Sequence, residues 1–307
     1  MANAYNTQTS HAEFVPEVWM DEVILAATDH TANAFLANAV QLPANPAKGK
    51  GDIYHFPVQS RVNMSAITEG TPLEYRQFSA SEKTLTLNKN RGVVAHVSSI
   101  LGALSGYNVF SSLAQQIGMN AGSNIDADLA ALYASAGITV TGTTAANITD
   151  ANILSAARQL DAAKAPRVGR FLIVDPTQMA ALAAISTFSH ADRIGNGDAI
   201  RSGLVGRVRG FDVFMGHNVV STTDGFKHLM AGVYTPGNPY QSSLVWAPAT
   251  HAPMLSNTAH QDVAALGLRT TLAYDQLNVG EAISGNQIYG VTAVRTEWLV
   301  DIKVTDN

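Results

Sequence analysis

Residues 203–219 read GLVGRVRGFDVFMGHNV, and Gly203, Gly206 and Gly210 ahead of an apolar run pose a choice between a phosphate-cradling loop and a turn between strands. A phosphate loop needs a strand before its glycines and a helix N-terminus after them, so that backbone N–H groups converge on the anion. Here the glycines lead into Phe211, Asp212, Val213, Phe214 and Met215, an aromatic and β-branched run that predicts a strand. The spacing matches neither G-x-G-x-x-G nor the P-loop pattern, and the stretch holds no Lys. The glycines are therefore expected to supply positive φ where one strand turns into the next.

Working outward, composition narrows the choice of function. With 307 residues, 46% of them hydrophobic, the chain can bury a large core without a disulfide or metal staple. The absence of cysteine excludes a disulfide framework, thiolate zinc sites and cysteine nucleophiles together. Only 14% of residues are charged, so much of the surface is expected to be covered by something other than water. The N-terminal MANAYNTQTSHAEF has no basic start and no apolar core, and no run reaches about 18 apolar residues, which predicts neither export nor membrane insertion. A net charge of −5 argues against a broad basic face for nucleic acid, while leaving room for a wall that merely surrounds it.

Periodicity predicts an amphipathic helix from Pro16 through Val40, after a polar arm over residues 1–15. Two strand-like runs, IYHFPV and EKTLTLNK followed by RGVVAHVSS, flank the polar stretch NMSAITEGTPLEYRQFSAS. That connection is too long for a tight hairpin and predicts an excursion, residues 52–99, ordered by a partner. Between Tyr107 and Ala134 a helix is expected with two stripes, Leu113 and Ile117, then Ile125, Leu129 and Leu132, the change marked by Gly118 and Gly122. Thr149 should cap a helix that turns Ile153, Ala157 and Leu160 inward, RFLIVDP should be a buried strand, and Asp175 with Pro176 should cap the next helix. YGVTAVRTEWLVDIKV alternates as one long final strand.

Residues that carry chemistry do not converge. Asp175 at the end of a strand invites comparison with a doubly wound enzyme, yet an N-cap role accounts for it. His251, His260 and Asp262 form a loose cluster without metal-ligand spacing, and no catalytic serine motif occurs. Asp126 and Asp128 make a D-x-D that points in two directions on a helix. Arg193, Arg201, Arg207 and Arg209 are the densest basic group, and pairing with carboxylates of a neighbouring subunit suits them at least as well as phosphate. No enzyme, cofactor or metal is predicted.

Taken in order, ITEGTPLEYRQFSASEKTLTLNKNRGVVAHVSS, DANILSAARQLDAAKAPRVGRFLIVDPTQMAALA and GLVGRVRGFDVFMGHNV resemble the major capsid protein of tailed bacteriophages, the Hong Kong ninety-seven fold, over nearly the whole chain. The resemblance implies an α+β shell subunit with an N-terminal arm, an extended β-hairpin loop, a peripheral domain with a long spine helix, and an axial domain. Its segments would be 1–51 (arm and first helix), 52–100 (extended loop and strands), 101–145 (spine helix), 146–285 (axial domain with returning segments) and 286–307 (a long C-terminal strand).

The implied function is structural: pentamers and hexamers closing an icosahedral head around double-stranded DNA, without sequence-specific binding and without a membrane. It would be located in the virion, with assembly in the host cytoplasm. The implied partners are other copies, a scaffolding protein during assembly, a portal protein at one vertex, and a decoration protein in some relatives. Residues 1–15 lead straight into the first helix, from which a separate scaffolding protein and an uncleaved chain are expected. Relatives that cross-link use a Lys and an Asn; Lys83 and Lys89 lie in the excursion, but no Asn partner or acid is identified, so that chemistry is not carried over. Leu73, Tyr75 and Phe78 are the expected inter-subunit contacts of the excursion, beside Arg193, Arg201, Arg207 and Arg209. Alternatives are an encapsulin-like bacterial compartment of the same fold and an α/β enzyme using Asp175 and the histidines.

Overall fold

The computed structural model describes residues 33–43, 51–59, 64, 66, 69–70, 75, 80–100, 109–142, 146–185, 206–251, 260–263 and 266–305. Helix α1 (Ala34–Ala37) leads into β1 (Val40–Gln41). The paired strands β2 (Ile53–Gln59) and β3 (Ala80–Thr86) are followed by β4 (Lys89–Ser98) and the long helix α2 (Val109–Ala130). Then come β5 (Ile138–Thr141), α3 (Asp150–Ala162), β6 (Arg170–Val174), α4 (Pro176–Ala184), β7 (Arg207–Val208), β8 (Phe211–Met215), β9 (Val220–Ser221) and β10 (Lys227–Val233). The chain closes with β11 (Leu244–Pro248), β12 (His260–Val263), β13 (Leu268–Asp275), β14 (Gly280–Ala293) and β15 (Val300–Val304).

These strands make two main sheets. One runs β1-β11-β14-β13-β12 with β4 also on β14, the other runs β5-β15-β10-β6-β8-β7 with β9 on β10, and β2 with β3 forms a separate ribbon. Helix α2 lies on the first sheet. Its buried residues Ala114, Ile117, Ala121, Ile125 and Leu129 recur at helical spacing, so the helix carries one continuous stripe rather than the two expected, and it runs unbroken through Gly118 and Gly122. At about 1.5 Å per residue it is roughly 33 Å long. Helices α3 and α4 pack on the second sheet through Ile153, Ala156, Leu160 and Leu182.

Local sequence rules hold well in this second unit. Thr149 caps α3 by accepting from the Asn152 N–H, Asp175 caps α4 by accepting from the Thr177 N–H, and every residue of β6 is buried. The glycine stretch is a hairpin: Arg207 pairs with Asp212 and Val208 with Phe211, leaving Arg209 and Gly210 as a two-residue turn with φ of 49° and 89°. Positive φ at both positions is the type I′ geometry that matches strand twist.

Three expectations are corrected. The final alternating run is not one strand, because β14 ends at Ala293, Thr296–Trp298 form a 3-10 turn, and β15 belongs to the other sheet. The run RGVVAHVSS is not part of the excursion, because β4 pairs with β14 over ten registered residues. The helix predicted from Pro16 to Val40 ends earlier: α1 stops at Ala37 and Val40 pairs with Val245, while residues 16–32 lie outside the described residues. In each case the competing partner is distant in sequence, and burial against it outweighs local periodicity.

Close approach explains Gly285. A Cβ there would lie 2.8 Å from Ile117 Cγ2, so the glycine lets α2 sit directly on β14. Gly285→Ala should cost about 1–3 kcal/mol by overpacking, and much less in an Ile117→Ala background. Gly210→Ala meets open space but keeps its positive φ, and should cost about 1–2 kcal/mol in both backgrounds. Urea unfolding of the two glycine variants, of Ile117→Ala and of the two double variants checks these costs.

Candidate assembly interface

The excursion begins as a ribbon, β2 with β3, anchored by two buried side chains. Phe56 and Leu85 bury into a cluster with Val40, Leu42, Val245, Ala247 and Val294. Fully burying side chains of that size is worth about 1.5–3 kcal/mol each, enough to hold the base in place. Beyond the ribbon, Met64 and Tyr75 are fully exposed. Leu73 and Phe78 lie outside the described residues.

Below the ribbon a polar node joins β4, α2 and β14. The Tyr289 hydroxyl donates to Asp128 Oδ2 at 2.5 Å, and Arg91 donates through Nη2 to both Asp128 oxygens at 3.2 and 3.1 Å and through Nε to the Tyr289 oxygen at 3.1 Å. Burial pushes the Asp128 carboxyl up, but the Tyr289 and Arg91 donors outweigh it and hold the group below its usual value. Burial, followed by the bond to Asp128, raises the Tyr289 phenol.

Two residues earlier, Asp126 faces the opposite way. It is fully buried, accepts from the Leu36 N–H at 2.9 Å and from Asn218 Nδ2 at 2.9 Å, and so ties α1 and the segment after β8 to α2. Burial raises its carboxyl above the usual value, with the Leu36, Asn218 and Phe35 donors opposing. The D-x-D therefore does point in two directions, each with a structural partner.

The arginines are engaged at home. Arg209 grips Asp150 with Nε at 2.9 Å and Nη2 at 2.6 Å, and Arg207 lies 3.4 Å from Asp212. The Arg209 bond holds the Asp150 carboxyl below its usual value. Arg193 and Arg201 lie outside the described residues.

Of the residues considered for catalysis, Asp175 and His251 are committed to structure, and His260 and Asp262 lie in β12. Asp175 is both the α4 cap and the partner of Lys227 Nζ at 2.6 Å. His251 Nε2 lies 2.8 Å from the Gly267 carbonyl, and no group of three metal-ligating side chains occurs among the described residues. Sequence reasoning missed one Asp–His–Thr relay: His228 Nδ1 lies 3.0 Å from both Asp301 oxygens, and its Nε2 lies 3.1 Å from the Thr222 hydroxyl. Its side chains are only 3% and 4% exposed at His228 and Asp301, Tyr133 stacks on the imidazole at 3.9 Å, and Thr222 is also bonded to Asp224 and to the Phe226 carbonyl. With His228 and Asp301 buried and Tyr133 stacked on the ring, the group is a tie between β10 and β15. No local signal could have revealed it, since His228 and Asp301 are 73 residues apart.

Comparison with known proteins agrees with this inventory. The phage capsid protein family matches residues 103–275, more than half of the chain. No curated protein matches the sequence. Among solved structures, one from Mycobacterium phage Che8 is 19% identical with a TM-score of 0.63, covering 83% of this chain and 85% of its own. The capsid of cyanophage P-SCSP1u is 15% identical at 0.66, covering 88% and 87%, and the mature capsid of bacteriophage PhiM1 is 15% identical at 0.64, covering 89% and 87%.

Tyr289→Phe removes a donor to a carboxylate while keeping the ring, and should lower stability at pH 7 by about 1.5–3 kcal/mol. Asp128 has a folded value below its unfolded one, so its contribution is present above about pH 4 and is lost as the pH falls through the folded value. The gap between wild type and variant should accordingly narrow on acidification, as read from melts between pH 7 and pH 3.

Proposed function

The chain belongs to the phage capsid protein family, and from that premise we infer that it forms pentamers and hexamers closing an icosahedral head around the double-stranded DNA of a tailed phage. It is a structural protein of the virion shell and not an enzyme. The observation that carries the finer reading is the excursion: a ribbon anchored by Phe56 and Leu85, with Met64 and Tyr75 exposed beyond it, on a fold that matches capsid structures over more than four-fifths of its length. A net charge of −5 suits a wall that encloses DNA without gripping it by sequence.

Assembly in the host cytoplasm draws on a scaffolding protein, a portal protein takes one vertex, and a decoration protein can bind the finished surface. Between copies, Leu73, Tyr75 and Phe78 make the apolar contacts of the excursion. Arg193 and Arg201 supply cationic ones, and Arg207 and Arg209 add what their own carboxylates leave unneutralised. Each such exposed pair contributes about 0–1 kcal/mol, so repetition over a shell matters more than any single pair.

Electron microscopy of purified particles tests the reading: closed icosahedral shells are expected, with DNA inside native ones. Closed shells holding a protein cargo and no DNA would instead favour a compartment, and a small globular oligomer would overturn the shell. Replacing residues 65–80 by a short Gly and Ser link should leave a soluble subunit with a cooperative melt and abolish shells. Normal shells from that variant would show that the excursion is only a surface loop.

A further inference from the structure

Strand β14 carries a glycine toward each face of the first sheet. Gly285 admits α2 on one face, and Gly290, five residues on, belongs to the other, because successive strand residues alternate. On that second face lies the corner where the ribbon turns from β3 into β4. A Cβ on Gly290 would lie 2.3 Å from the Thr86 carbonyl oxygen and 2.9 Å from Leu85 Cδ2. The nearer obstacle is backbone, so no rotamer change relieves it, and the corner itself must move if Gly290 gains a methyl group. That corner is tightly bonded: the Thr86 carbonyl accepts from the Asn88 N–H at 3.0 Å, and the Leu87 N–H donates to the Asp52 carbonyl at 2.7 Å.

Three further contacts hold the ribbon, and two of them also reach backbone. Thr292, on the same face of β14 as Gly290, donates its hydroxyl to the Thr84 carbonyl at 3.4 Å, and the Tyr54 hydroxyl donates to the Pro43 carbonyl at 3.1 Å. The Phe56 and Tyr240 rings meet edge to face with centroids 6.1 Å apart, and Arg295 Nε fixes Tyr240 by donating to its carbonyl at 2.9 Å. Tyr240 lies in the turn between β10 and β11, so the ribbon is braced against the passage from one sheet to the other. Burial of Phe56 and Leu85 keeps the ribbon on the body. Contacts to carbonyl oxygens do something different, because they fix where its backbone lies.

We propose that Gly290 is the positioning residue that sets the angle at which the ribbon leaves the body, and through that angle the direction in which the excursion reaches toward neighbouring copies. This rests on the shell reading. The ribbon is a lever: from the pair Ile53 and Thr86 at its base to the pair Gln59 and Ala80 at its end it spans about 20 Å. Phe56 and Leu85 lie within three residues of the base and form the fulcrum, about 7 Å from Thr86. Lifting the Thr86 carbonyl by the roughly 1 Å that a methyl group demands swings the paired end by about 2 Å in the opposite sense. The twenty-residue connection beyond it, 60–79, lengthens the arm and enlarges the displacement.

The lack of native cysteine gives the chain two clean labelling sites. Spin labels at Gln59→Cys, on the ribbon's paired end, and at Leu154→Cys, exposed on α3, report the ribbon's angle in the isolated subunit. Gly290→Ala should shift the mean distance by about 2 Å and Gly290→Val by about twice that. Both should cut the yield of closed particles at least about tenfold, equivalent to about 1.4 kcal/mol in association. Gly285→Ala overpacks the opposite face of β14, and should lower stability while leaving the distance and the particles as in wild type. Tyr240→Ala removes a partly exposed brace without adding bulk, so it should fold, broaden the distance distribution and lower particle yield. An unchanged distance in Gly290→Val, a shifted distance with particles at wild-type yield, or an equal loss of particles in Gly285→Ala would each overturn the assignment. If the Gly290 variants do not fold, Tyr240→Ala with wild-type width and yield would overturn it. Failure of the wild-type chain to form particles would overturn the shell reading instead, and the label distances would still decide whether Gly290 sets the angle.

Discussion

The buried stripe of α2, with Ile117, Ile125 and Leu129, rests on the face of β14 that carries Ile283, Gly285, Gln287 and Tyr289. Each large apolar residue in that seam contributes about 1.5–3 kcal/mol on burial, and Gly285 keeps the two backbones close enough for the contact to form. Strand β14 in turn holds β4, β11 and β13, so the first sheet is organised around the strand on which the helix sits. Asp126 and Asp128 then lock the helix in rotation: one fastens α1 and the segment after β8, the other fastens β4 and β14 through Arg91 and Tyr289.

Besides the passage from β4 through α2 to β5, the chain crosses between the two sheets from β10 to β11 and from β14 to β15. Both crossings are pinned by hydrogen bonds from buried or half-buried groups. The Ser243 hydroxyl donates to the Trp298 carbonyl while its oxygen accepts from the Val233 N–H, and the Trp298 indole donates to the Ala163 carbonyl with Arg295 stacked 5.1 Å above its ring. Phe171, Ile173 and Met230 of the second sheet, with Leu299 just before β15, share one core with α2 and β14. Leaving any of these polar groups buried and unpaired would cost about 1–3 kcal/mol, which favours one register at the junction over its alternatives.

A shell subunit must be stable alone and incomplete alone. The body meets the first requirement by pairing charges internally: Arg209 with Asp150, Arg170 with Asp161 and Lys227 with Asp175. What remains outside is low in charge and includes apolar side chains on a ribbon and along a strand edge, features that a free-standing monomer rarely leaves open. Asp175, the residue that most resembled catalytic machinery, is among those paired internally.

By itself the sequence determined what depends on neighbours within a few residues. The Thr149 and Asp175 caps, the buried strand RFLIVDP, the positive-φ turn at Arg209–Gly210 and the two directions of Asp126 and Asp128 all follow from local geometry, and all are present. The order of these pieces was sufficient to suggest the family. Only the tertiary structure decided that 289–304 breaks into strands of two sheets, that β4 belongs to the body, and that Arg91 meets Tyr289 across 198 positions. Of the candidate interface, the long connection between β2 and β3 was legible, and the node of Arg91, Asp128 and Tyr289 beside it was not. Pairing between distant segments is chosen by the burial and hydrogen bonding of the whole core, which local periodicity does not encode.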